Sequence, residues 1–221
     1  MPEFMKNKEV MKYHKILRRK KTQIFLKRCF DLIFSIILAA LMFPFMAVVY
    51  FIIKFDSPGK VIFKQKRVTR YGKIFYVYKF RTMVENAEKL GTQVTTDGDN
   101  RITKSGKWLR KFRIDEFPQI FNIIKGDLSF VGTRPEVPKY VKHYTPEMMA
   151  TLLLPAGVTS SASILYKDEA EFLKGSKNPD ETYVNEILPQ KMTYNLEYIK
   201  NFGLIYDIKI MIKTIIAVIK K

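Results

Sequence analysis

Two adjacent carboxylates, Asp115 and Glu116, stand inside the run Arg110-Lys111-Phe112-Arg113-Ile114-Asp115-Glu116-Phe117-Pro118-Gln119. Lys125-Gly126-Asp127 and Gly132-Thr133-Arg134-Pro135-Glu136 follow shortly after. A carboxylate beside guanidinium groups is held ionised, so it can act as a nucleophile or hold a divalent cation. Arginine is also the side chain best shaped to grip phosphate oxygens two at a time. Acid, metal and phosphate clamp, downstream of a membrane-type apolar segment, point to phosphoryl-type transfer to a lipid.

Composition limits how such a site can be built. The chain has 221 residues, enough for one sizeable core or one domain plus a membrane element. Lys and Arg number 39 against 21 Asp and Glu, a net charge of +18. That excess attracts a polyanion, an anionic bilayer face or a phosphorylated substrate. With one cysteine, Cys29, and two histidines, His14 and His143, no disulfide within the chain and no Cys/His zinc site can form. Any metal must take oxygen ligands, which favours magnesium or manganese. Met1-Pro2-Glu3-Phe4, ahead of Met5, is given no structural meaning.

The segment that brings the acids to a membrane is Leu32 to Ile53, 22 residues without a charge. It is long enough for a hydrocarbon core of roughly 30 Å. Pro44 sits near its middle, where it removes a backbone hydrogen bond. Basic residues flank both ends: Arg18, Arg19, Lys20, Lys21, Lys27 and Arg28 before it, Lys54, Lys60, Lys64, Lys66, Arg67 and Arg70 after it. The positive-inside tendency asks for both ends on the cytoplasmic side. A helix broken at Pro44 that enters and leaves by one face satisfies both, and a kinked single crossing is the alternative. Asp31, beside Lys27 and Arg28, reads as an ion-pair partner rather than a catalyst.

The expected fold class is α+β: a mostly helical, membrane-associated domain with a small antiparallel β-hairpin and an N-terminal re-entrant membrane helix. Three parts follow, a basic arm over 1–28, a re-entrant helical hairpin over 29–54, and a cytoplasmic catalytic domain over 55–221 with a C-terminal amphipathic helix. The arm reads as an amphipathic helix on anionic lipid or a solvated charge run. Val61 to Gln65 and Ile74 to Phe80 read as two strands joined through a turn with Gly72. Helices are expected over Val84 to Leu90, over Ile102 to Phe112 with Trp108, Leu109 and Phe112 buried, and over Phe117 to Ile124. Others are expected over Pro146 to Leu154 and, interrupted near Pro189, over Glu181 to Lys200. A loop is expected from Gly91 to Asn100. The Asp115-Glu116 pair then falls near a helix N-terminus, which favours negative charge and phosphate alike. At the C-terminus Leu204, Ile208, Met211, Ile215 and Ile219 share a helical face, read as covering the core ahead of resting on a membrane.

Taken together, these segments closely resemble the bacterial sugar transferase family of monotopic phosphoglycosyl transferases. The matching pieces, in order, are KRCFD (27–31), DSPGKVIFKQKRV (56–68), GKIFYVYKFRTM (72–83), DNRITKSGKWLRKFRIDEFPQIFNIIKGDLSFVGTRPE (99–136) and YDIKIMIKTI (206–215). Each piece alone is weak, and all of them in order are specific. The resemblance implies a Mg²⁺-dependent transfer of a sugar 1-phosphate from a UDP-sugar to undecaprenyl phosphate. It implies a covalent aspartyl-phosphosugar intermediate, release of UMP, and the start of a surface glycan such as capsule, exopolysaccharide or lipopolysaccharide.

Carried residue by residue, the resemblance makes Asp115 the nucleophile and gives Glu116 a part in binding Mg²⁺, both acids belonging to the metal site. Arg134 is the first candidate phosphate clamp, because prolines stiffen its neighbourhood, with Arg110 and Arg113 next. Lys79 and Arg81 are candidates for nucleotide or lipid phosphate. For each arginine the plain alternative is a structural ion pair. Asp127 acts in the site or caps the turn after Gly126. The chain departs from the family pattern at Thr133, where a proline is common, at Phe43 before Pro44, and at Pro155-Ala156-Gly157-Val158-Thr159-Ser160. These changes bear on which sugar is carried.

The expected setting is the cytoplasmic face of a bacterial inner membrane, with UDP-sugar, undecaprenyl phosphate and membrane lipid as partners. Nucleic acid is not expected, since a nucleic-acid platform interleaves aromatic and basic residues. A homodimer is left open. The competing reading is a non-catalytic membrane-anchored basic binding protein or scaffold, which explains charge and anchor but not Asp115-Glu116.

Overall fold

The computed structural model of the protein describes residues 1–87, 99–166, 176 and 178–219. Helix α1 (Lys8–Arg19) is capped by Asn7, whose side chain accepts from the Val10 amide at 2.8 Å. It leads into α2 (Lys21–Asp56), 36 residues long. A hairpin follows, β1 (Ile62–Val68) antiparallel to β2 (Ile74–Phe80), with Gln65 opposite Val77 and Arg67 opposite Phe75. Then come α3 (Lys104–Lys111), a 3-10 turn Ile114–Gln119, α4 (Ile120–Lys125) and β3 (Leu128–Val131). After α5 (Pro138–Val141) and a second 3-10 turn (Met148–Leu153), β4 (Ala156–Thr159) pairs parallel with β3. The chain closes with α6 (Ser161–Leu165), α7 (Pro179–Thr182), a π-turn Tyr183–Ile187, α8 (Leu188–Lys200) and α9 (Leu204–Ile219).

Three apolar clusters hold these elements. The largest joins Val10, Tyr13 and Leu17 of α1 to Leu152 and Leu153, and to Leu188, Met192 and Ile199 of α8. A second packs Met46, Val49 and Ile53 of α2 against Val61, Phe80, Leu109 and Ile114. A third seals Phe75 and Val77 over Ile123, Leu128 and Ala156. The second clamps the hairpin and the turn bearing the two acids onto α2, and the third holds the hairpin on α4, β3 and β4.

Helix α2 is long and apolar enough to cross a membrane, by length and composition. Lys27, Asp31, Ser35, Met46, Val49 and Ile53 are its buried residues. With Leu38 and Met42 they fall in one arc of roughly 100° at 3.6 residues per turn. Outside that arc stand exposed apolar side chains such as Ile33, Ile37, Leu41, Val48, Phe51 and Phe55. Both ends are pinned to the same body. Lys27 Nζ lies 2.6 Å from Asp207 Oδ2, and Arg28 donates to the carbonyls of Ile123 and Ile124 at 2.7 and 2.9 Å.

Several expectations are corrected here. Pro44 does not break the segment into two helices: it sits inside the single helix α2, which also begins inside the expected arm. The arm itself docks on the core through Val10, Tyr13 and Leu17 instead of lying on lipid or in solvent. Met5, given no role from sequence, is fully buried beside them. Of the expected buried face of α3 only Leu109 is inside, while Trp108 and Phe112, four residues apart, meet edge to face on the surface.

The region expected as the helix Val84 to Leu90 is a turn up to Ala87, with Asn86 at φ 60°, and its remainder lies outside the described residues. So does most of the loop expected from Gly91 to Asn100. Pro146 to Leu154 forms a 3-10 turn instead of an α-helix. The parallel β3–β4 pair was not expected. Finally, the C-terminal stripe faces outward: Ile208, Ile215 and Ile219 are exposed, while Asp207 and Ile210 form the inner face of α9.

Candidate active site

The two acids sit on a turn the chain makes by an unusual backbone. Arg113 adopts a left-handed conformation, φ 58° and ψ 19°, rare for a residue with a side chain. This reversal ends α3 and starts the 3-10 turn, so that Asp115 and Glu116 open its first turn. Pro118 lies inside this turn and supplies no amide donor to it. The turn lies under β2, and Asn122 of α4 fixes the register. Its side chain accepts from the Tyr78 amide at 3.0 Å and donates to the Tyr76 carbonyl at 2.8 Å, in place of a third strand. Lys79, the next residue on β2, is thereby aimed at the acids.

Glu116 Oε1 accepts from Lys79 Nζ at 3.2 Å and from Arg134 at 3.1 Å. Burial disfavours its charge, but Lys79, Arg134 and Arg113 outweigh burial and hold it far below the usual carboxylate range. Asp115 is also buried, and here burial prevails over Lys79 and Arg110, with Glu116 adding repulsion, so its pKa is raised. Its Oδ1 has no hydrogen-bond partner among the described residues. Glu116 is thus the acid that its cationic neighbours hold most firmly ionised, while burial makes Asp115 the weaker acid of the two. An under-solvated carboxylate with an orphaned oxygen is the more basic and more nucleophilic of the two.

Arg134 reaches Glu116 because β3 and β4 approach closely. Gly132 N donates to the Thr159 carbonyl at 3.0 Å and Gly157 N to the Thr133 carbonyl at 2.9 Å. A Cβ on Gly157 would strike the backbone of Gly132, so the crossing requires glycine. Downstream, buried Glu136 accepts from Tyr183 Oη at 2.5 Å and lies 3.6 Å from Lys191 Nζ. Arg134 is thus held between two fixed points.

The other candidates separate. Arg110 donates to Thr82 Oγ1 at 2.9 Å and adds its charge near Asp115. Arg113 lines a cavity with Glu116. Arg81 is corrected: it is buried, and its guanidinium is spent on the end of α2, donating to the carbonyls of Pro58 at 2.7 Å and Ser57 at 2.6 Å. A cation there satisfies helix C-terminal carbonyls. Asp127 belongs to the turn after Gly126, 2.9 Å from Lys73. Asp31 pairs with Lys27 at 3.9 Å and accepts from the Phe130 amide at 3.3 Å.

One residue was missed. Arg67, read as a flanking charge, shares the inner hairpin face with Gln65, Phe75, Val77 and Lys79. It donates to Gln65 Oε1 at 2.8 Å and to the Pro135 carbonyl at 3.1 Å. Burial lowers its pKa, while Glu136 and Glu116 pull the other way. The alternation of Phe63, Gln65 and Arg67, opposite Lys79, Val77 and Phe75 of β2, was the available signal.

A cavity of about 320 Å³ opens beside Glu116, the neighbour of Asp115. Glu116, Arg113, Arg134 and Lys111 form its polar end. Its walls are mostly apolar, with Leu38 and Met42 of α2 and Ala217 and Val218 of α9, and Thr159, Ser163 and Thr214 also line it. Among the described residues no group of three or more His, Cys, Asp or Glu forms a metal cage. Two carboxylates with an orphaned buried oxygen nonetheless suit Mg²⁺, which commonly takes one or two carboxylates plus substrate phosphates.

The model of the family described as bacterial sugar transferase matches residues 22–221. An Aeromonas hydrophila protein named UDP-N-acetylgalactosamine-undecaprenyl-phosphate N-acetylgalactosaminephosphotransferase is 38% identical over 194 residues, 86% of this chain and 43% of its own length. The undecaprenyl-phosphate glucose phosphotransferase of Komagataeibacter xylinus is 34% identical over 196 residues, 86% of this chain and 35% of its own. A Caulobacter vibrioides UDP-glucose:undecaprenyl-phosphate glucose-1-phosphate transferase is 31% identical over 192 residues, 86% of this chain and 68% of its own. The chain thus spans less than half of the first two relatives.

Proposed function

The chain belongs to the bacterial sugar transferase family, and from this we propose that it moves a sugar 1-phosphate from a UDP-sugar to undecaprenyl phosphate. The observation that supports this most directly is the contrast within the acid pair. Glu116 is held ionised by Lys79 and Arg134, while Asp115 beside it is buried with an unpartnered oxygen. A non-catalytic scaffold gives no reason to bury such a carboxylate.

In the proposed reaction an Asp115 oxygen attacks the sugar-bearing phosphorus of the donor. The bond to the bridging oxygen breaks and UMP leaves with that electron pair. An oxygen of the acceptor's phosphate then attacks the same phosphorus, restoring the Asp115 carboxylate and giving a lipid-linked diphosphate sugar. Two steps let one site serve a soluble donor and a membrane-bound acceptor in succession. Arg134 and Lys79 are positioned to meet phosphate oxygens in both, with Glu116 keeping the two cations apart and oriented. Asp115 and Glu116 would hold Mg²⁺, whose charge would neutralise the diphosphate and improve the leaving group.

The setting we propose is the cytoplasmic face of the bacterial inner membrane, where the product would begin a surface glycan. The relatives named above differ in sugar, N-acetylgalactosamine in one and glucose in the others. The test is nucleoside monophosphate release from a panel of UDP-sugars by protein in lipid nanodiscs with Mg²⁺ and undecaprenyl phosphate. Release from one sugar, with transfer of label to lipid, is expected. No release from any UDP-sugar, with intact protein, overturns the proposal.

A further inference from the structure

We infer that the cavity between α2 and α9 seats the first isoprene units of the acceptor, whose tail enters sideways between these two helices. This rests on the acceptor proposed above and adds where its chain lies. The cavity's polar end carries Arg113 and Arg134 beside Glu116, as a phosphate at the reacting centre requires. From there the lining turns apolar, through Phe117 and Ile120 to Met42 on one side and Val218 on the other. At the roughly 10–15 Å³ that one water-sized group needs in such a cavity, 320 Å³ admits on the order of 20–30 non-hydrogen atoms. That is the head of a polyprenyl chain and not its length, so the rest must leave through the wall.

The exit follows from the two helices. On α9 the inner face carries Asp207, Ile210, Thr214 and Ala217, with Thr214 hydrogen-bonded to Thr159 at 2.7 Å, while half-exposed Val218 also lines the cavity. Its opposite face presents Ile205, Ile208, Ile212, Ile215, Ile216 and Ile219, all exposed. Next to it, α2 exposes Ile37, Leu41 and Phe45. A chain leaving between Leu38 and Val218 therefore passes between two apolar outer faces suited to lipid tails, and never through water. A second cavity, about 590 Å³, lies beyond Met46 among Tyr50, Phe51, Tyr78 and Phe121. Neither carboxylate of the acid pair lines it, so a tail placed there would leave its phosphate away from Glu116.

The test is photolabelling of the full chain in nanodiscs of phosphatidylethanolamine and phosphatidylglycerol, with a prenyl phosphate carrying a diazirine in its second isoprene unit. Label is expected on Met42, Ala217 or Val218, and should be displaced by undecaprenyl phosphate. Ala217→Trp should cut labelling at Met42 at least tenfold, whereas Ile212→Trp, on the outer face, should leave it unchanged. Label confined to Phe51 or Phe121, or spread evenly over the outer faces, would overturn the inference, as would undiminished labelling in folded Ala217→Trp. If that variant does not fold, the labelling map of the unsubstituted protein decides. Because labelling needs no donor, failure of every UDP-sugar to release UMP strikes the proposed reaction and leaves the slot to be judged separately.

Discussion

Lys27 Nζ stands 2.6 Å from Asp207 Oδ2, joining the start of α2 to the start of α9 across 180 positions of sequence. Asp207 also accepts from Tyr198 Oη at 2.7 Å, and both charged side chains are almost fully buried. The pair fixes the angle between the two helices that wall the cavity. Removing Lys27 leaves two buried carboxylates, Asp207 and Asp31, without their cation. Lys27→Met is expected to cost about 3–5 kcal/mol, read from denaturant or thermal unfolding in detergent. Lys27→Met combined with Asp207→Leu should recover part of that loss, since Asp31 still lacks its cation. Equal destabilisation in the single and double variants would deny the pair its structural role.

Asp115 gives a prediction in pH. Its folded pKa lies above the ordinary 3.8, chiefly through burial. The folded protein therefore holds this proton more tightly than the unfolded chain does. The associated stability is present below the unfolded pKa and is lost as pH rises through the folded one. Asp115→Asn removes that loss, so the variant should be more stable at pH 7 by on the order of 1 kcal/mol, roughly 2–4 °C in Tm. The advantage should shrink as pH falls toward 4. Activity should drop by a factor on the order of 10⁴ or more, and the wild-type rate should fall in acid with a midpoint above 3.8. Full turnover by Asp115→Asn would remove this side chain from the chemistry.

The contact of Arg134 with Glu116 predicts more than a lost charge. Arg134→Ala should lower turnover about 10²–10³-fold, the usual effect of deleting one preorganised donor to a reacting phosphate. Arg134→Lys keeps the charge but not the planar fork, and should recover only part of it. Glu116→Gln should raise the KM for Mg²⁺ as well as lower turnover. A Glu116→Gln variant with an unchanged Mg²⁺ profile would separate this acid from the metal.

Arg81 is predicted to matter for stability and not for phosphate. Three of its hydrogen bonds run to the Ser57 and Pro58 carbonyls and the Ser57 hydroxyl, at 2.6 to 2.9 Å. Arg81→Ala should lower stability by on the order of 3 kcal/mol, while the folded fraction keeps its KM for the UDP-sugar. A tenfold rise in that KM without loss of Tm would restore Arg81 to the substrate site.

These outcomes reflect what residue order can and cannot convey. The acid pair, the hairpin and the long apolar helix were legible because each is local: adjacent carboxylates, β-branched and aromatic alternation, and an uncharged run. Arg81 was not, since the carbonyls it satisfies lie more than twenty positions upstream and meet it only after folding. Four-residue β3 is too short for a period to show, and its partner β4 begins 28 positions later. Helix α9 is apolar on two faces, so periodicity found a stripe without telling which side is covered. The contrast between Asp115 and Glu116 was not legible, because neighbouring charge is visible in sequence and burial is not.

Topology gives the last prediction. The covered stripe of α2 runs from Lys27 to Ile53, about 39 Å at 1.5 Å per residue, against the same body that bears the acids. A helix crossing the bilayer would separate its ends by the hydrocarbon thickness of about 30 Å and could not keep both on that polar body. Here Arg28 binds α4 at one end and Arg81 holds Ser57 at the other, and both α4 and β2 flank the acid turn. Both ends should therefore lie on one side of the membrane. In a Cys29→Ser background, Thr22→Cys and Lys60→Cys should both react with a membrane-impermeant maleimide in inside-out vesicles, and neither in intact spheroplasts. Reaction from opposite faces would mean that α2 crosses, and that its contacts with α4 and β2 are not those of the membrane-bound enzyme.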